Sequence, residues 1–248
     1  MEKIFEYIFL TFRKGSQMHV ILSLNGPNNI LPPQATTRDY LLAFSNKTLF
    51  ENVLEPLAST LGPADTLHLL LGEVDWNYRN WILKTALKSC PNVDLTLLKN
   101  CNNEIQSIHA FVSKSAIHDD EKCIIAPKDT IIGVELYQAL INSKFDHVAL
   151  GVFEGNDPKY GYILHTDDRT VVSSTQNISE TAFAGVYCFA KFSELKGMLK
   201  GNKENGRLLL DILDKYFIGS QLKTIKTEQS NVTPINDITD YIGALNAV

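Results

Sequence analysis

The sequence has few cysteines and no CxxC pair among its 248 residues. Cys90, Cys101, Cys123 and Cys188 lie far apart, which argues against a zinc site and against a disulfide framework. Cys123 and Cys188 lie inside apolar runs, so we expect both to be small buried core residues. This cysteine usage favours a reducing, cytoplasmic compartment.

Basic blocks and long apolar segments are also missing. The formal net charge is −5 and the charged residues are scattered, so a nucleic-acid partner is not expected. No segment is apolar and long enough to span a membrane. An N-terminal extension, residues 1–17, has an apolar face that Glu2 and Glu6 interrupt. It is interpreted either as a short helix for a membrane surface or partner, or as an upstream start before Met18.

What the sequence does contain is enough apolar residues, 44%, for one sizeable core. From Met18 onward strand and helix patterns alternate, which predicts one α/β domain over 18–248. Its fold class would be a mixed, mostly parallel central sheet with helices on both faces, Rossmann-like. Ligands of such sheets bind beyond the carboxyl ends of the strands. The predicted strands are 19–24, 67–71, 93–98, 122–126, 147–153, 160–165, 170–173, 183–189 and 222–225. The predicted helices are 49–61, 76–89, 103–116, 134–141, 191–199, 207–218 and one begun near Pro234.

The first predicted strand and the loop after it resemble the opening of the sugar-phosphate nucleotidyltransferases, also called nucleotide-diphospho-sugar transferases. Their glycine-rich signature is roughly GxGxRLxP. Gly26, Leu31 and Pro33 match it, whereas Asn28 stands at the second glycine and Ile30 at the arginine. In that family the loop wraps nucleotide phosphates with backbone N–H groups. The resemblance therefore implies a nucleotide-binding loop made of Leu24, Asn25, Gly26, Asn28 and Asn29.

A second stretch, 38–54, is similar to the family's PKPLL segment, in which a lysine contacts phosphate. Asp39 stands at that lysine position, which reverses the charge. The neighbouring Arg38 is the candidate replacement cation. Adjacent side chains of an extended segment point in opposite directions, which argues against this replacement.

A third stretch, 122–130, resembles the strand whose end carries a metal-binding aspartate, and Asp129 matches that residue. The resemblance implies Mg²⁺ as cofactor and Asp129 as its ligand. An alternative remains open, in which Asp129 caps the turn before a helix. Lys128 replaces the usual glycine and would bring a cation to the site. Asp129, Lys128 and Arg38 are thus the candidate catalytic residues.

The second half carries the fullest match, to the family's YG and iSnxAxxGhYxF stretches. This match implies sugar contacts from Gly161, Gly185 and Tyr187. The family's intervening Glu-Lys pair is absent, and its second metal-binding aspartate is missing before Thr233-Pro234.

Three functions remain open. The first is nucleotidyl transfer, in which NTP and a sugar 1-phosphate give a nucleotide-sugar and pyrophosphate, as the family does in surface polysaccharide synthesis. The second is an inactive relative that binds a nucleotide or nucleotide-sugar, or serves as a regulatory subunit. The third is a glycosyltransferase of the related GT-A fold, for which acidic pairs occur at 119–120 and 167–168. The resemblance also allows a homo-oligomer.

Overall fold

The computed structural model describes residues 17–32, 35, 37–166, 170–174, 176–200, 209–216 and 222–247. Residues 1–16 of the expected extension lie outside these ranges, as do Pro33, Asp167 and Asp168. In the described ranges no helix has the length and apolar character needed to cross a membrane.

The first half alternates strands and helices, as predicted. Its elements are β1 (Met18–Ser23), β2 (Ala43–Phe44), β3 (Lys47–Thr48), α1 (Leu49–Ala58), β4 (Thr66–Leu71), α2 (Arg79–Ala86), β5 (Val93–Leu97), α3 (Glu104–Val112) and β6 (Lys122–Ala126). The second half is richer in strands. It contains β7 (Thr130–Ile132), α4 (Val134–Asn142), β8 (Val148–Glu154), β9 (Tyr162–His165), β10 (Thr170–Ser173), β11 (Thr181–Phe189), α5 (Phe192–Leu199), α6 (Leu209–Tyr216), β12 (Leu222–Lys226), β13 (Val232–Pro234) and α7 (Ile238–Asn246).

Local sequence explains where the helices that flank the site begin. Thr48 caps α1 in a capping box with Glu51, in which each side chain bonds the other's backbone N–H. Asn103 caps α3 by accepting from the backbone N–H of Gln106 at 2.9 Å. That cap fixes Glu104 in the first turn of α3, next to the ends of the central strands.

One mixed sheet organises the domain, which confirms the predicted fold class. β1 lies between β4 and β6, parallel to both, and β5 lies parallel to β4 on the outer side. β11 runs antiparallel to β6 and also pairs with β8, and β12 lies parallel to β8. Along β1, Val20 and Leu22 face one apolar cluster while Ile21 faces the other. Both faces of the central strands are therefore buried, as expected when helices cover each side.

Two details differ from the sequence expectations. The helix predicted over 76–89 is shorter, because α2 spans Arg79–Ala86 and the next residue, Leu87, is 49% exposed. A small sheet of β7 and β13 had not been predicted. It places Ile235 against the strand end after β6, where its N–H donates to the Asp129 carbonyl at 2.7 Å. Pairs this short have too little periodicity to be read from sequence.

Candidate functional site

The predicted loop and the predicted acidic strand end lie side by side. β1 and β6 are parallel neighbours, so Asn25-Gly26 after one strand meets Pro127–Asp129 after the other. The Nζ of Lys128 lies 3.5 Å from the carbonyl oxygens of Asn25 and Pro27. The loop and strand end proposed from the resemblance are thus brought together at one edge of the sheet.

Asn25 anchors the loop to α3 through its side chain, and its proposed nucleotide contact stays a prediction. Its amide donates to the Cys101 carbonyl at 2.7 Å and to the Ser107 hydroxyl at 2.8 Å. Its side-chain oxygen accepts from the backbone N–H of Gly26 at 2.9 Å. Gly26 has φ of +132°, a conformation that glycine adopts readily. The first backbone donor of the loop is therefore already used.

Asp39 occupies the centre of the loop. Its carboxylate accepts from the backbone N–H groups of Asn29, Ile30 and Leu31, the latter two at 3.0 and 2.9 Å. Asn28 completes the arrangement, because its side-chain oxygen accepts from the Asp39 N–H at 3.2 Å and its amide donates to the Thr37 carbonyl at 2.9 Å. Three successive N–H groups that converge on one carboxylate form a backbone anion site.

Arg38 and Asp39 contact different groups, at the point where extended backbone at Arg38 passes into a short 3-10 helix, Asp39–Leu41. Its Nε lies 2.7 Å from an Asp75 carboxylate oxygen, and its Nη2 donates to the Gly26 carbonyl. Tyr40 donates to the same Asp75 oxygen at 2.9 Å, and Gly72 donates its N–H to the other at 3.1 Å. Burial, followed by the Asp75 charge, raises the pKa of Tyr40. Arg38 is buried in this network, and its proposed contact with phosphate stays a prediction.

The space beside Asp39 is nearly closed. A cavity of about 10 Å³ remains between the loop, Arg38, Asp39 and Asp129. One water molecule needs roughly 10–15 Å³ of such space, so a phosphate group does not fit without rearrangement.

A larger cavity of about 210 Å³ opens on the other side of Lys128 and Asp129. Glu104 lines it as well, and burial, with the neighbouring Asp129 charge, raises the Glu104 pKa to about 7. Burial is also the main cause that raises the pKa of Asp129, against the lowering effect of Lys128. The cavity thus holds two partly buried carboxyl groups and one ammonium group close together. Such clusters of perturbed groups are common in functional sites.

The three predicted sugar-contacting residues line this same cavity. Gly185 has φ of +85° and lies at a register shift in β11, and a Cβ there would lie 3.1 Å from the Pro127 Cβ. Glycine therefore allows a bulge that turns the strand toward Pro127. Tyr187 is buried, with its ring 4.7 Å from the Phe183 ring. Gly161 packs against Leu210, and its carbonyl accepts from the Phe183 N–H at 2.8 Å.

Asp129 does not act as a helix cap. The helix after it along the chain is α4, and its N-cap is Gly133. Asp129 instead ends the turn between β6 and β7 and lines both cavities. The capping alternative is therefore wrong.

The acidic pair at 119–120 lies far from this edge of the sheet. Asp119 and Asp120 precede β6, whereas Asp129 comes after it. Their side chains are 66% and 88% exposed and pair with Lys196 at 2.7 Å and Lys191 at 3.4 Å. These residues form a solvated turn and give no support to a glycosyltransferase metal site. The second pair, at 167–168, lies outside the described residues.

Comparison with known proteins identifies the fold. No protein-family model matches this chain. No curated protein matches it either. Solved structures match over almost its whole length. A UDP-glucose pyrophosphorylase complexed with UDP-glucose matches with a TM-score of 0.70 at 13% identity, over 93% of this chain and 98% of that one. The chain has the fold of the sugar-phosphate nucleotidyltransferases.

Two further structures with the nucleotidyltransferase fold agree. The inositol-1-phosphate CTP transferase from T. maritima has a TM-score of 0.67 at 16% identity, covering 94% of this chain and 96% of that one. The nucleoside-diphosphate-sugar pyrophosphorylase from Vibrio cholerae RC9 has a TM-score of 0.68 at 15% identity, covering 92% and 100%.

Within this nucleotidyltransferase fold, sequence reasoning missed two residues. Glu104 had no motif around it, and only the Asn103 cap could have placed it at the start of a helix beside the strand ends. Asp39 is visible in the sequence as a reversed charge, but its three backbone contacts had not been foreseen. The signal available was a carboxylate ten residues after a loop rich in free N–H groups.

The donors for a metal are limited. Among the described residues no group of three or more His, Cys, Asp or Glu side chains could hold a metal ion. Asp129 and Glu104 are the two carboxylates that share the larger cavity.

Proposed function

We propose that the protein has a nucleotidyltransferase-like function in which it binds a nucleotide-linked sugar and transfers nucleotides slowly or not at all. The observation that supports binding is the 210 Å³ cavity, in which Lys128 lies beside Glu104 and Asp129. The solved structures of this fold include a pyrophosphorylase complexed with UDP-glucose.

The chemistry of the cavity suits such a ligand. Lys128 offers an ammonium group to a phosphate oxygen. Glu104 and Asp129 offer carboxyl oxygens to sugar hydroxyl groups, which donate hydrogen bonds to them. Gly161 and Gly185 line the cavity and shape its wall, because the absence of a Cβ lets Leu210 and Pro127 pack closely against them. Tyr187 and Phe183 add an apolar wall.

Slow transfer is expected from the arrangement of the positive charges. Nucleotidyl transfer depends on cations and donors that stabilise the phosphoryl charge in the transition state. Ile30 and Asp39 stand where the resemblance places an arginine and a lysine, and the candidate replacement Arg38 is held by Asp75. Loss of one such donor typically lowers the rate about 10²- to 10³-fold. Two altered positions would therefore leave little activity.

An active enzyme is the second candidate, and the Glu104–Asp129 pair is the observation that favours it. Carboxylates are the ligands that Mg²⁺ prefers, so these two residues would hold the ion that the fold family implies. A bound Mg²⁺ would neutralise phosphate charge. Lys128 lies close enough to lower the pKa of both carboxyl groups. Its ammonium group could also neutralise phosphate charge, which is the role that Mg²⁺ would have.

The two candidates are separated by thermal shift with CTP, UTP, dTTP, GTP, ATP and their sugar conjugates, with Mg²⁺ or with EDTA. A ligand that binds only the folded protein raises the unfolding midpoint. We expect a larger shift with one sugar conjugate than with its NTP, also in EDTA. Lys128→Ala should remove that shift, whereas Lys191→Ala, at the opposite end of the sheet, should keep it.

Other outcomes have definite meanings. A Mg²⁺-dependent shift with an NTP, together with pyrophosphate release that Asp129→Ala abolishes, would establish the active enzyme and contradict the proposal. No shift with any member of the panel would contradict both candidates.

A further inference from the structure

The loop after β1 already binds an anion, the carboxylate of Asp39. Asn29, Ile30 and Leu31 direct three successive N–H groups at the Asp39 carboxylate. Convergent backbone N–H groups of this kind bind phosphates in many proteins. Here a carboxylate satisfies them from within the fold.

The backbone groups of Gly26, earlier in the loop, also have partners within the chain. Gly26 donates its N–H to the Asn25 side chain, and Pro27 has no N–H to donate. The Gly26 carbonyl accepts from Arg38, which holds the loop from the opposite side. Since the adjoining cavity measures about 10 Å³, an external phosphate can reach these N–H groups only if the Asp39 carboxylate leaves.

We infer that Asp39 is a built-in occupant of the loop's anion site and makes this site reject polyphosphate ligands. The consequence for ligand choice rests on the proposed function: the polyphosphate end of an NTP is excluded, while a nucleotide-linked sugar can use the larger cavity and Lys128. The occupancy itself does not depend on any nucleotide.

Removal of the Asp39 carboxylate would make the loop attractive to an external anion. The Asp39 charge extends far enough to raise the pKa of Asp129. Without it, three N–H groups lose their acceptor, and the Lys128 ammonium still lies 3.5 Å from two carbonyl oxygens of the loop. Unsatisfied donors beside a cation favour a small anion.

The test uses inorganic pyrophosphate and the full-length protein, with binding measured by isothermal titration calorimetry. Asp39→Ala should bind pyrophosphate at least about tenfold more tightly than the wild type, because charge-assisted contacts to the freed N–H groups become available. Asp65→Ala is the matched control. Asp65 also accepts two backbone N–H groups, from Met18 and Gly62, but at the opposite end of the sheet. This control should bind as weakly as the wild type.

Two further variants test the same inference, and the first of them keeps a side chain of similar size at position 39. Asp39→Asn keeps the size of the side chain but removes its charge, so pyrophosphate should raise its unfolding midpoint more than that of the wild type. In an Asp39→Ala background, Lys128→Ala should reverse most of the gained affinity. Equal pyrophosphate affinity of wild type and Asp39→Ala, with no added shift for Asp39→Asn, would overturn the inference. Failure of the proposed function would appear separately, as no response to nucleotide-sugars.

Discussion

The two halves of the site differ in how their polar groups are satisfied. In the loop half, the donors of Gly26, Asn29, Ile30 and Leu31 all bond side chains of the same chain. In the cavity half, Glu104, Lys128 and Asp129 line an open space of about 210 Å³. One half is therefore a finished structural element, while the other keeps charged groups near a space that a ligand can fill.

This difference shows that a binding loop can keep its backbone shape after losing its ligand. Backbone N–H groups that are left without an acceptor when buried are costly, typically about 1–3 kcal/mol each. An aspartate that supplies the acceptor stabilises the loop in the absence of phosphate. The same aspartate, which stands where the related family has a lysine, would make the loop a poor phosphate site. Asp39 thus stabilises the folded loop and at the same time disfavours phosphate binding to it.

Removal of the buried Arg38–Asp75 ion pair, which holds the loop, should have the largest effect on stability. Asp75→Ala leaves Arg38 charged, buried and without its partner, and it also removes the acceptor of Tyr40. We expect the free energy of unfolding to fall by about 3–5 kcal/mol, as measured by urea denaturation. Asp119→Ala, which breaks an exposed pair with Lys196, should cost at most about 1 kcal/mol. Equal losses for the two variants would show that the Arg38 network does not hold the loop.

The bulge at Gly185 tests the cavity half in the same way. Gly185→Ala forces a residue with a Cβ into φ of +85° and places that Cβ near Pro127. The expected loss of stability is about 1–3 kcal/mol, together with weaker binding of any cavity ligand. Gly243→Ala is the matched control, since a Cβ in this helical position meets nothing within 4 Å. It should stabilise the protein by about 0.5–1 kcal/mol. A neutral Gly185→Ala would mean that the bulge can relax without strain.

The pH dependence of stability sharpens the comparison further. The pKa of Glu104 is raised from 4.5 to about 7 in the folded state. Between these values the folded protein keeps a proton that the unfolded chain releases, so stability must fall as pH rises through this window. We expect Glu104 to contribute a decrease on the order of 1–2 kcal/mol between pH 5 and pH 8, a figure reduced for its partial exposure. Glu104→Gln should lack this contribution, while Asp129, whose pKa is also raised, remains in both proteins. Parallel pH profiles for the two proteins would refute the assignment.

Most of the fold could be predicted because it depends on patterns with a clear period. β6 and β10 were predicted at their observed bounds, and the other main strands to within a few residues. Buried parallel strands read as short apolar runs, and Cys123 and Cys188 are buried within them as expected. The short strands β2, β3, β7 and β13 were not predicted, because two or three residues are too few to show a hydrophobic period.

The site was predictable only in its location. Topology predicted that the carboxyl ends of β1 and β6 meet, and the resemblance added Gly161, Gly185 and Tyr187; these residues do line the two cavities or the loop. Which groups are already satisfied could not be read from the order of residues. Whether Asp39 meets the loop depends on how the chain folds back over about ten residues, and whether Arg38 meets Asp75 depends on packing between segments about 35 residues apart.

The smallest expected effect concerns Lys159 at the rim of the cavity. Lys159 pairs with Asp240 in α7 and lies 3.4 Å from Asp157, so it joins the β8–β9 loop to the C-terminal helix. It is partly exposed, and solvent weakens such pairs, so Lys159→Ala should lower the free energy of unfolding by only about 0.5–1 kcal/mol. Urea denaturation at low and high salt measures this, and the difference from wild type should shrink at high salt. A loss of unfolding free energy as large as that of Asp75→Ala would contradict this comparison. The contacts at the rim of the cavity would then stabilise the fold as much as those that hold the loop.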